Sequence, residues 1–270
     1  MFRRLYEEDN IYGDLTTELL VPRGTVAEAK IIAQEPCVVA GAQYLVNEVQ
    51  KLALEVWAVE DGTFLNKGDV AMRIVGDAHK ILSAERTILN ILSRMSGIAT
   101  ETRKVVDMVK SANPHVRVAA TRKTLWGKLD KLAVIAGGGD PHRWNLSDLV
   151  LVKDNHIALI GFENVFSRLS EVSFTKKVEV EVETEEEALM AARHNVDIIM
   201  LDNFAPEDVC RVAEKIKKIS NVMIEVSGGI TPDTVKEYAK CNIDIISMGH
   251  LTHSSRSVNF SMSVQGIKKV

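Results

Sequence analysis

Val178-Glu179-Val180-Glu181-Val182, then Thr184-Glu185-Glu186-Glu187, then Ile198-Ile199-Met200-Leu201-Asp202 place a strand, a helix start and a second strand in succession. The first run alternates, so its glutamates share one face and its valines the other. Thr184 stands where an N-cap belongs, and the acidic residues after it sit at the positive end of the helix dipole, which predicts a helix over residues 185–194. Strand, helix and strand in that order form a parallel pair with a right-handed crossover.

The pattern repeats on both sides. Run 116–120 leads into Thr121, Arg122 and Lys123, and run 149–152 leads into Lys153. Run 222–226 ends in Ser227, Gly228 and Gly229, and run 243–246 in Ser247 and Gly249. Helices are predicted at 129–136, 163–169, 206–219 and 232–239, the last two with Pro206 and Pro232 in their first turns. Residues 116–253 are too few for eight strand–helix units, which take roughly 250 residues. The expectation is an open, irregular α/β barrel of six or seven parallel strands. Strand ends of such a barrel share one rim, where active sites lie.

The chain before residue 100 has another texture. Strands are predicted at 25–33, 36–40, 55–59 and 70–75, with a helix at 43–54. A long helix over 78–111 follows, with Gly97 marking a break or a close contact. This predicts an α/β sandwich domain over residues 1–100 and a barrel domain over 101–256, with 257–270 returning to the first as a strand that alternates Val258, Phe260, Met262 and Val264.

A chain of 270 residues with 46% hydrophobic and 26% charged residues can bury a sizeable core. A net charge of -4 does not suggest a nucleic-acid partner. No run is long enough to span a bilayer, and the start lacks a signal-peptide apolar stretch, so a cytoplasmic location is expected. Cys37, Cys210 and Cys241 are scattered, which favours reduced thiols over bridges or zinc.

The chemistry gathers at the strand ends. Arg122, Lys123 and Lys153 follow apolar strands, where an unpaired buried cation costs several kcal/mol or so unless an anion meets it. Lys128 and Lys131 suit a solvated helix face. Gly137-Gly138-Gly139 runs into His142 and Arg143, a loop through which backbone can approach a ligand. Glu179, Glu181 and Glu183 are expected to point inward together, and Glu181 and Asp202 could hold ribose hydroxyls, magnesium or a developing positive charge. The two glycine turns at Ser227–Gly229 and Gly249 suit a phosphate. His250 and His253 fit capping or hydrogen bonding better than a metal.

These segments together resemble the quinolinate phosphoribosyltransferase family. The matching motifs are Glu8-Asp9, Gly13-Asp-Leu-Thr-Thr17, Glu85-Arg-Thr-Ile-Leu-Asn90, Ser96-Gly-Ile-Ala-Thr100, Thr121-Arg-Lys-Thr124, Gly137-Gly-Gly139 with His142-Arg143, Lys153-Asp-Asn-His156, Glu179-Val-Glu-Val-Glu183, Leu201-Asp-Asn203, Ser227-Gly-Gly-Ile230, and Gly249 with Leu251-Thr-His-Ser254. The resemblance implies transfer of phosphoribosyl from phosphoribosyl pyrophosphate to quinolinate with decarboxylation, giving nicotinate mononucleotide, as a step of NAD biosynthesis. It implies a homodimer, or a hexamer built from dimers, in which one subunit covers the other's barrel mouth. It assigns quinolinate to Arg86 of the neighbouring copy, Arg122, His142, Arg143 and Lys153. Lys123, Glu181 and Asp202 take catalytic roles, with Mg2+ at Glu181 and Asp202. The phosphoribosyl phosphate goes to Lys123, Ser227, Gly228, Gly249 and His253. One departure stands out: the family commonly continues Thr-Pro-Gly-Leu-Arg, where this chain has Leu125-Trp126-Gly127-Lys128-Leu129. A related molybdate-uptake branch, or a phosphate-ester-binding barrel without catalysis, is the alternative.

Overall fold

The computed structural model describes residues 1–194 and 196–265, and its contacts divide the chain into two units. The first contains Met1–Arg103, Leu125–Gly138 and the chain from Ser254; the second contains Lys104–Thr124 and Gly139–His253.

In the first unit, two short helices, α1 (Phe2–Asp9) and α2 (Leu15–Leu20), precede a small sheet with helix α3 (Ala42–Gln50). The sheet is formed by β1 (Val26–Ala33), β3 (Glu55–Ala58), β5 (Val70–Asp77) and β12 (Phe260–Gln265), in the order β12-β1-β5-β3. β2 (Cys37–Val38) and β4 (Phe64–Leu65) make a separate two-stranded ladder. The returning strand pairs antiparallel with β1, Ala29 opposite Val264; residues 266–270 lie outside the described set. Helix α4 (Ala78–Ala112) runs 35 residues without a break at Gly97. That glycine is a close contact instead, since a Cβ there would sit 2.0 Å from the Arg256 carbonyl oxygen.

Residues 125–138, which the sequence places inside 101–256, have their contacts with the first unit. The reason is a buried charge. Asp130 on α5 (Lys128–Ala136) is fully buried and receives a two-pronged hydrogen bond from Arg94, at 2.9 and 2.7 Å. It also accepts the backbone N–H groups of Leu125 and Trp126. Lys131 is buried as well, 2% exposed, so it does not join the solvated face expected of it.

The second unit is a sheet of six parallel strands: β6 (Arg117–Ala120), β7 (Val150–Val152), β8 (Val178–Val182), β9 (Ile198–Asp202), β10 (Met223–Ser227) and β11 (Ile245–Met248). Their order is β6-β11-β10-β9-β8-β7, and among the described residues the two edges are not paired with each other, so the barrel is open. Connecting helices include α6 (Asp154–Ile160), α7 (Phe162–Leu169), α8 (Glu185–Ala192), α9 (Pro206–Ile219), α10 (Val235–Ala239) and α11 (His250–His253). Thr184 caps α8 through the Glu187 N–H, the N-cap foreseen in the sequence, and Glu187 returns the bond to close a capping box. Pro232 lies ahead of α10 rather than in its first turn. Cys210 and Cys241 form a disulfide, with Cα atoms 4.6 Å apart, which corrects the expectation of free thiols; Cys37 is free and buried. Residues 31 positions apart meet here because β10 and α10 return the chain beside α9, a proximity no local spacing reports.

Candidate active site

Strand register decides what points into the barrel. Arg117 pairs with Ile245, Ile245 with Glu225, Glu225 with Met200 and Met200 with Glu181. One pleat further along, Ala119, Ser247, Ser227 and Asp202 take up the corresponding inward places. Glu225, Met200 and Glu181 of the first tier and Ser247, Ser227 and Asp202 of the second line a cavity of about 380 Å³ at the carboxyl ends of the strands. Arg122, Lys123, His142, Arg143, Lys153, Glu181, Asp202 and Ser227, all singled out from sequence, line it together. Glu183 does not join its two neighbours; it lies past the end of β8 and is exposed.

The cations are not alike. Arg122 and Lys123 are exposed at the mouth rather than buried behind their strand, while Arg143 is only 9% exposed. Among the described residues, none of these three has an ion-pair partner. Burial, then the neighbouring Arg122 charge, lowers the Arg143 pKa from its usual value. Lys153, by contrast, is bonded to Glu181. His156 accepts the Lys153 backbone N–H at 2.9 Å and so sets the entry to α6. Asp202 is pushed up, chiefly by burial, and accepts a bond from Asn203 at 2.7 Å.

Beneath them lies a group the sequence disclosed only in part. Glu179 and Glu225 are fully buried, and His142 Nε2 lies 3.1 Å from Glu225 Oε2 and 3.3 Å from Glu179 Oε2. Only the Glu225 contact has hydrogen-bond geometry; neither Glu179 oxygen has a hydrogen-bond partner. Burial opposes a charge on His142, while the two carboxylates beside it favour one. The Arg143 backbone N–H pulls the other way, because it points at Nδ1 from 2.8 Å and needs a lone pair there. Two N–H groups cannot face each other at that distance, so the arrangement holds the neutral Nε2–H ring. Glu179 is itself raised, first by burial, and is the natural holder of the remaining proton. His142, Glu179 and Glu225 each offer a ligand atom within 4.8 Å of the others, as a metal site would. The Nε2–H leaves no lone pair on that nitrogen for a metal, and with both nitrogens engaged His142 has no free N–H for a substrate either.

Gly228 and Gly249 flank the cavity without lining it. A Cβ on Gly228, φ 91°, would strike Asn203 Oδ1 at 2.2 Å, so only glycine lets the turns after β9 and β10 come together. At Gly249 a Cβ would meet His253 Nε2 at 2.9 Å and Lys123 Cδ at 3.2 Å. His253 is exposed, and Thr252 ties its helix to the Lys123 carbonyl at 2.7 Å. Arg86 is exposed on α4 and is not a lining residue. Sequence reasoning passed over Glu225. Its signal was a lone carboxylate inside the apolar run 222–226, which must meet a buried partner.

Comparison with known proteins agrees along the whole chain. The model of the quinolinate phosphoribosyl transferase N-terminal domain matches residues 14–96, and that of its C-terminal domain matches 98–263. The "Probable nicotinate-nucleotide pyrophosphorylase [carboxylating]" of Methanocaldococcus jannaschii is 44% identical over 98% of this chain and 96% of its own. The human nicotinate-nucleotide pyrophosphorylase [carboxylating] is 36% identical over 91% of this chain and 84% of its own. The crystal structure of the Ehrlichia chaffeensis nicotinate-nucleotide pyrophosphorylase superimposes with a TM-score of 0.90 at 30% identity, covering 98% of this chain and 97% of that one.

Proposed function

The chain belongs to the quinolinate phosphoribosyltransferase family, and we propose that its rim cavity is where quinolinate meets phosphoribosyl pyrophosphate. The reaction joins the ring nitrogen of quinolinate to C1 of the ribose and expels pyrophosphate. The 2-carboxylate then leaves as CO2, giving nicotinate mononucleotide for NAD biosynthesis. The observation that carries the assignment is three cations, Arg122, Lys123 and Arg143, around one cavity with no carboxylate partnering them among the described residues. A doubly ionised pyridine acid supplies the missing charge, and Arg143 can grip a carboxylate with two parallel hydrogen bonds.

Lys153 is shared between Glu181 and the substrate. Glu181 and Asp202 face the ribose, where breaking the bond at C1 builds positive charge that fixed carboxylates stabilise. Lys123 lies on the pyrophosphate side. Ser227, the Gly228 and Gly249 turns and His253 take the 5-phosphate. Both Glu181 and Asp202 turn oxygen donors into the cavity, which suits Mg2+, a cation that prefers oxygen ligands and would neutralise the departing pyrophosphate. Loss of CO2 needs no side-chain nucleophile: the alkylated ring nitrogen is cationic and holds the electron pair left at C2.

The active form is a homodimer in which the partner's Arg86 completes the quinolinate pocket. The support is an exposed arginine on α4 and exposed apolar side chains at Tyr12, Leu15, Leu19 and Leu20, a patch that suits coverage by protein. Mixing inactive Arg86→Ala and Arg143→Ala chains should restore activity in hybrids; no recovery would rule out a shared site. A cytoplasmic location suits charged substrates that do not cross bilayers, and no helix of the described residues is long and apolar enough to span one. The decisive experiment incubates the protein with quinolinate, phosphoribosyl pyrophosphate and magnesium. Nicotinate mononucleotide should form; binding without turnover would leave only a phosphate-ester sensor.

A further inference from the structure

His142 has a φ of 52°, a left-handed backbone that is strained for a non-glycine residue. It is held there by ties at each polar atom around the ring. Its backbone N–H donates to Asp140 Oδ1 at 2.7 Å, its Nε2–H donates to Glu225 at 3.1 Å, and its Nδ1 accepts the Arg143 N–H at 2.8 Å. The ring is therefore a strut. One end rests on a carboxylate in the middle of the barrel, and the other holds the peptide that carries the Arg143 guanidinium.

Glu225 is a poor choice for stability alone. Its register neighbours on either side are Ile245 and Met200, and it is fully buried, two strands away from a second buried carboxylate, Glu179. An apolar residue would fill that position without the desolvation of a carboxylate. The nearest oxygens of Glu179 lack hydrogen-bond geometry to the ring, so Glu225 is the acceptor that sets it.

We propose that Glu225 is a positioning residue for the phosphoribosyl transfer: by accepting the His142 Nε2–H it fixes the tautomer and plane of the ring, and through Nδ1 the peptide from which Arg143 reaches a quinolinate carboxylate. This rests on the assignment of quinolinate to the rim cavity. Glu225 borders the cavity but is fully buried at its floor, and its effect passes through His142 to Arg143.

The test has two arms. In the unliganded wild-type protein, nitrogen-15 NMR of the histidine whose signals vanish in His142→Asn should show a hydrogen on Nε2 and none on Nδ1. In kinetics, Glu225→Leu should raise the KM for quinolinate about tenfold while leaving that for phosphoribosyl pyrophosphate within about twofold. Glu225→Gln, which keeps an acceptor, should recover most of the loss, and adding Glu225→Leu to His142→Asn should change little further. A hydrogen on Nδ1, an unchanged quinolinate KM, or an equal rise in both KM values would overturn the proposal. Wild-type protein unable to convert quinolinate would instead overturn the functional assignment, and the NMR arm would still decide the strut.

Discussion

Two arginines drawn in from solvent, a partly buried one in the first unit and a buried one in the second, are treated in opposite ways. Arg94 in the first unit is forked onto Asp130 and lies over the Trp126 ring, 5.3 Å from its centroid. Arg143 in the barrel is the more buried of the two, yet among the described residues no carboxylate is paired with it. A guanidinium that is neutralised internally holds chain segments together. One that is desolvated and left without a partner weakens the fold and waits for an anion. Burial alone does not separate a structural arginine from a binding one; the partner does.

The largest expected effect breaks the barrel side. Arg143→Ala should lower kcat/KM for quinolinate on the order of 10³-fold, about 4 kcal/mol, while thermal stability stays level or rises. A fall in Tm with modest kinetic change would erase the distinction. Asp130→Ala should do the reverse. It leaves a charge without its buried partner and should cost about 3 kcal/mol in denaturant unfolding, at the low end of such losses because Arg94 keeps 15% of its side chain exposed. The quinolinate KM should change little.

The fastenings of the two units sharpen the contrast further. In the barrel, the Cys210–Cys241 bridge closes a 31-residue separation, and reduction under otherwise native conditions should lower stability by about 2 kcal/mol. In the first unit the returning chain is fastened by charge. Glu35 takes a forked bond from Arg256, at 3.0 and 2.5 Å, and the Asn259 N–H at 2.9 Å. The Arg256 bond, with the Asn259 N–H behind it, holds the Glu35 carboxyl down at about 2. A carboxyl lowered on folding stabilises above its unfolded pKa and loses that contribution as pH falls toward 2. Because Glu35 keeps 27% of its side chain exposed, solvent screening reduces the effect to about 1 kcal/mol. Acid unfolding of Glu35→Gln should accordingly lose part of its dependence on pH between about 4.5 and 2; an unchanged acid limb would remove this pair from the account.

Much of the barrel is legible because its signals are local. The alternation of residues 178–182, the Thr184 cap and the polar residues after each apolar run are set by neighbours along the chain, and they reappear as β8, α8 and the cavity rim. Glu179 could be placed on an inward face by period-2 logic, but its engagement with His142 and Glu225 could not, because those residues lie on other segments and meet only across the barrel. The exposure of Arg122 and Lys123, the burial of Lys131 and the bridge at Cys210 are unreadable for the same reason.

What the sequence by itself determined is the alternating order of elements, the parity that turns particular side chains inward, and which residue types stand at each strand end. Those follow from backbone periods of 2 and 3.6 residues. Tertiary structure alone decided which cation is paired and which is not, where the 125–138 segment packs, and that an imidazole spans the gap between a mid-barrel carboxylate and the Arg143 peptide. Such matters depend on desolvation and on distances of about 3 Å between segments remote along the chain, which no local pattern encodes.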